Sequence, residues 1–120
     1  MGTLDNITAK YLQIQQIEFD DTDSSPKSVW NPPGNAKIRI SNVMVAVVNK
    51  TANSNCTIRV ELLRKGAWKE IAIAGAQNKS YGNMVIDFKG LIRGQEVRVS
   101  KAGTSTSWNA WVMVTGEVVA

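Results

Sequence analysis

The chain has 120 residues, a formal net charge of +4, four tryptophans, one cysteine and no histidine. That length suits one domain, the single Cys56 excludes an intrachain disulfide, and the lack of histidine removes Ser-His and Cys-His nucleophiles and the commonest zinc ligand. The modest charge permits an acidic partner without demanding one. No stretch near the start has the basic lead and apolar core of a signal peptide. The longest apolar run, Val43 to Val48, is far too short to span a bilayer as a helix.

Taken in chain order, residues 1–9 read as an arm and 10–120 as one folded domain. A first strand is predicted at about Tyr11–Phe19, where Leu12 and Ile14 are followed by Ile17 and Phe19, with a parity switch at Gln15–Gln16. Asp20–Pro26 is turn-rich, a short strand is expected around Ser28–Trp30, and Asn31–Asn35 is a proline- and glycine-bearing turn. In Lys37–Asn49, Ile38 and Ile40 alternate before Val43, Val45 and Val47 take the opposite parity, which calls for a bulge at Ser41–Asn42. Cys56, Ile58, Val60 and Leu62 alternate with Arg59 and Glu61, the pattern of a strand with one wet side. Lys65–Gly66 then reads as a tight turn, with Trp68, Ile71 and Ile73 on the returning strand of a hairpin over 56–74. Further strands follow at Met84–Phe88 and at Val97–Val99, joined by a glycine turn, and the last runs from Trp108 to Val119. No long stretch has helical periodicity. The expectation is an all-β antiparallel sandwich or jelly roll of seven or eight strands.

Two strands carry more apolar surface than one interior can hide. Met44, Ala46 and Val48 interleave the inward valines, and Trp111 and Met113 oppose Trp108, Val112 and Val114. A two-layer sandwich has one inside, so the second faces require a cover. That cover is either the chain's own N-terminal segment or Trp30 loop, or a neighbouring subunit. The second choice makes Met44, Val48, Trp111 and Met113 the self-association residues.

The order of features from Ala36 to Val119, "AKIRISNVMVAVVNKTANSNCTIRVEL", then a hairpin, "MVIDFKGLIRGQEVRVSKA" and "WNAWVMVTGEVV", resembles small virion proteins of tailed phages, the head-decoration or cement proteins. The resemblance implies a β-sandwich without enzymatic activity or cofactor that forms a dimer or trimer. It also implies binding across seams between major capsid subunits on the virion surface, after assembly in the host cytoplasm; from the residues themselves, neither a nucleic-acid nor a membrane partner is expected. An N-terminal arm extends such contacts, and Leu4 and Ile7 would do so here. A tail or head-fibre component and a carbohydrate-binding module are the alternatives.

Gly90 and Gly94 lack the order of a phosphate loop and are read as turn glycines. Arg39, Arg59 and Arg98 lie on the wet parity of three strands. They would make one basic patch if those strands shared a sheet, giving either a nucleic-acid surface or, preferred, a rim that steers contact with a capsid. Trp30 is the best sugar-stacking candidate and a further capsid-contact candidate, against the plainer role of pinning the Asn31–Gly34 turn. Trp108 is expected inside and Trp111 at an interface. Asp20, Asp21 and Asp23 lack the glycine and distal glutamate of a calcium loop, so no metal site is assigned.

Overall fold

A computed structural model describes residues 12–34, 36–49, 55–77, 81–102 and 107–119. The arm 1–9, with Leu4 and Ile7, lies outside the described residues. The strands are β1 (Leu12–Asp20), β2 (Lys27–Trp30), β3 (Lys37–Asn49), β4 (Asn55–Arg64), β5 (Ala67–Gln77), β6 (Tyr81–Gly94), β7 (Glu96–Lys101) and β8 (Trp108–Val119). They form two four-stranded sheets, sheet I in the order β1-β8-β3-β6 and sheet II in the order β2-β7-β4-β5.

The pairing is nested. β4 pairs with β5, β3 with β6, β2 with β7 and β1 with β8, all antiparallel. Successive pairs alternate between sheets, so the chain is one long hairpin wound on itself, and the β3–β8 and β4–β7 ladders close the layers. This is the jelly-roll form of the expected sandwich. At its tip, Lys65 and Gly66 make the turn with φ of 52° and 77°, the left-handed pair that a two-residue hairpin turn requires.

The stretch "VIDFKGLIRGQEVRV" forms two strands as expected, but of its two glycines only Gly94 marks the passage between them. β6 runs through Gly90 without turning and ends at Gly94, where the chain passes from sheet I to sheet II. The crossing is tight. A Cβ on Gly94 would lie 2.4 Å from Leu62 Cδ1 and 2.6 Å from the Leu63 carbonyl oxygen, and the Gln95 amide donates to that same carbonyl at 2.8 Å. Only a residue without a side chain fits there.

The bulge in β3 is where the change of parity placed it. Ile40 faces Gly116 and Asn42 faces Thr115, leaving Ser41 as the extra residue, and its hydroxyl donates to the Thr115 carbonyl at 3.1 Å. Ile38, Ile40, Val43, Val45 and Val47 therefore all face inward. They meet Cys56, Ile58, Val60 and Leu62 of β4 and Val97 and Val99 of β7 in one core. Phe19 and Trp108 pack edge to face within it, with ring centroids 5.4 Å apart, the arrangement favoured by aromatic quadrupoles.

One expectation about facing is corrected. β1 has no parity switch, because its register to β8 is unbroken from Leu12 to Asp20. Phe19 is inside, Ile17 packs partly against the core, and Ile14 stays outside at 61% exposure. In β5 the inward residues are Ala72, Ala74 and Ala76, while Ile73 is exposed. The register shifts between Val60 and Glu61, and β5 packs against β3 and β6 of the other sheet. Alanines permit that close approach where isoleucines would hold the layers apart.

Candidate functional site

The two outer faces of the sandwich differ in kind. That of sheet II is mostly polar, with Ile73 of β5 an exposed apolar residue at its edge. Arg59 Nε donates to Glu70 Oε1 at 2.8 Å, Arg98 Nε to Glu61 Oε1 at 3.0 Å, and Ser100 Oγ to the same Glu61 oxygen at 2.9 Å. The Arg98 guanidinium also lies 3.9 Å from the centre of the Trp68 ring, a stacked cation that the strand's wet side can hold.

The outer face of sheet I is apolar at its centre. Strand register fixes its rows. Gln16, Met113, Met44 and Val85 stand side by side across β1, β8, β3 and β6, and the next row holds Glu18, Trp111 and Ala46. Val48 follows, opposite Asn109. Met44 is 40% exposed, Trp111 38% and Val85 58%, with Val48 exposed and Met113 half-buried. Gln16, Met44, Ala46, Trp111, Val112 and Met113 line a shallow depression of about 260 Å³. Polar groups surround this centre: Asn109 Nδ2 donates to Glu18 Oε1 at 3.1 Å, and Thr115 and Asn42 occupy the row beyond Met113 and Met44. An apolar centre within a polar rim is the anatomy of a protein interface.

Met44, Val48, Trp111 and Met113 were singled out as surplus apolar residues on two separate strands. The structure brings all four together. The contiguous member missed was Val85, and Ile14 stands exposed in the Thr115 row at the edge of the patch. Val85 was visible only as one side of an alternating strand, and its position beside Met44 depends on the β3–β6 register. Ile14 was misassigned to the interior by the supposed parity switch.

The contact candidates fare differently. Trp30 is 5% exposed and belongs to the core, so it pins its loop and presents no ring to a capsid or a sugar. Arg39, Arg59 and Arg98 do not form a patch, because Arg39 is in sheet I and the other two are in sheet II. Each has its own carboxylate, Arg39 pairing with Glu117. The acidic loop after β1 is internally bonded. Asp23 Oδ2 accepts from the Asp20 amide at 2.9 Å, Asp20 Oδ1 from the Thr22 amide at 2.9 Å, and Asp21 Oδ1 from the Trp108 amide at 3.2 Å. Cys56 is buried, and burial pushes its thiol up to about 12 despite the nearby Lys101 charge, which leaves it protonated and unreactive near neutral pH.

No family model matches the sequence, and no curated protein matches it. Among solved structures, the chain is similar to the SPBc2 prophage-derived protein YomS, with 12% identity over 87% of this chain and 94% of that one and a TM-score of 0.43. It is similar to a chain of the cyanophage Pam1 capsid asymmetric unit, with 18% identity, coverage of 88% and 82%, and a TM-score of 0.44. It is also similar to a carbohydrate-binding module of a family 9 glycoside hydrolase from Ruminococcus flavefaciens FD-1, with 12% identity, coverage of 86% and 83%, and a TM-score of 0.43. At such identities and TM-scores none of the three assigns a role to this chain.

Proposed function

We propose that the protein is a non-enzymatic structural component of a phage particle, a head-decoration protein that self-associates through the outer face of sheet I and braces neighbouring capsid subunits. The observation that carries the self-association is the contrast between the two outer faces, one laced with ion pairs and the other apolar around Met44, Trp111, Met113 and Val85. Burying that patch removes apolar surface from water at about 25 cal/mol per Å² before association costs. Repetition on a lattice adds avidity to contacts that are weak singly. The assignment to a phage head rests on the resemblance in strand and turn order, and the arm with Leu4 and Ile7 is the proposed capsid contact. The carbohydrate reading loses Trp30, the residue on which it rested.

The test is to mix purified protein with phage heads that lack it and pellet the particles. Saturable co-sedimentation is expected. Protein that stays in the supernatant at micromolar concentration counts against the head assignment, whatever its own oligomeric state.

A further inference from the structure

At the end of the sandwich where β6 crosses to β7, four cations surround one concavity. Lys37 of β3, Arg64 at the end of β4, Lys65 in the hairpin turn and Arg93 of β6 line a cavity of about 260 Å³ floored by Gly94 and Gln95. All four are exposed, and among the described residues none of them forms an ion pair. Arg93 stands directly across from Arg39, whose only ion-pair partner among the described residues is Glu117 on the other side. Like charges at opposed strand positions destabilise a sheet unless an anion lies between them. Lys65 is also an unfavourable choice for its position. With φ at 52° the backbone is left-handed, which glycine or asparagine adopts more readily. A cation is thus held at a strained site, at the mouth of a cationic cavity.

We propose that this end of the sandwich is a docking site for an acidic peptide segment of a partner protein. A second hollow of about 340 Å³ adjoins the first, sharing Lys37 and Gln95, walled by Pro32, Ala36 and Leu63 and carrying the Glu96 carboxylate. The first hollow is purely cationic and the second holds one charge of each sign, Lys37 and Glu96, so an extended chain would seat its carboxylates in the first and an uncharged continuation in the second. Arginine forks pair bidentately with carboxylates, and the lysines add point charges. Among the described residues, neither hollow is lined by an aromatic ring on which a nucleobase could stack. The site stands apart from the self-association reading, because none of the four cations belongs to the apolar patch on sheet I.

The experiment measures fluorescence anisotropy of the full chain with two probes, a labelled peptide of alternating glutamate and alanine and a labelled single-stranded oligothymidylate. The variants are Arg64→Gln with Arg93→Gln, and, as an equal loss of charge elsewhere, Arg59→Gln with Lys69→Gln. The expected result is saturable peptide binding that weakens at least about tenfold in the first double variant, the loss of two charge-assisted contacts, and changes less than about twofold in the second, where only screened, distant charge is removed. Circular dichroism on each variant confirms that it is folded. Tighter binding of the oligothymidylate than of the peptide would overturn the assignment in favour of a nucleic-acid backbone. Equal losses in both double variants, or no peptide binding at all, would overturn the site itself.

Discussion

Replacing Trp111 with alanine removes the largest side chain of the apolar face. The residue leaves 38% of its surface open, and an aromatic of its size buries on the order of 200 Å². About 80 Å² is therefore available to a partner, equivalent to about 2 kcal/mol at about 25 cal/mol per Å². In a two-fold symmetric dimer the residue occurs twice. The loss is then about 4 kcal/mol, or about three orders of magnitude in dissociation constant. Sedimentation equilibrium over a wide concentration range reads this directly, with thermal unfolding run in parallel to show that the variant protomer is folded. Met44→Gln, one row away on the same face, is the second variant and should weaken association less. Two results refute the reasoning: a wild-type chain that sediments as a 13.1 kDa species at every concentration, or a dissociation constant unchanged by both substitutions.

Three further outcomes follow from the packing. Gly116→Ala should destabilise the fold by about 1–3 kcal/mol, because the new Cβ would lie 2.4 Å from the Arg39 carbonyl oxygen at the β3 bulge; a thermal midpoint equal to wild type would contradict that fit. Lys65→Asn should stabilise by about 0.5–1 kcal/mol by suiting the left-handed turn, while weakening acidic-peptide binding; chemical denaturation and anisotropy read the two effects separately. For Cys56, the folded thiol titrates at about 12 against a usual 9.0. A folded-state value raised above the unfolded one gives a contribution fully present below pH 9.0 and lost as pH climbs toward about 12. The slope is about 1.4 kcal/mol per pH unit inside that window. Cys56→Ala should flatten this part of the stability curve, and an unchanged slope in urea unfolding at alkaline pH would show that other groups dominate it.

Much of the fold was legible because strand alternation is a local property. Whichever strands become neighbours, Cys56, Ile58, Val60 and Leu62 must share a face, and the change of parity in β3 can be reconciled with one interior only by an extra residue at Ser41. The same rule misled in β1, where an edge strand tolerates an exposed Ile14 and the unbroken ladder to β8 needs no bulge. In β5 the alanines face in and Ile73 faces out, because the sheets approach closely there. Burial depends on the room left by the opposing layer, which no single strand encodes.

By itself the sequence determined an all-β chain, the β4–β5 hairpin, the β3 bulge and an excess of apolar strand surface around Met44, Val48, Trp111 and Met113. Only the tertiary structure decided that these four residues are neighbours, that Arg39 is separated from Arg59 and Arg98 by the thickness of the sandwich, and that Lys37, Arg64, Lys65 and Arg93 converge on one cavity. The reason is the range of the forces involved. Alternation and turn chemistry act over a few residues, whereas nested pairing joins strands as far apart in sequence as β1 and β8. The groups that meet on a surface are set by that long-range register.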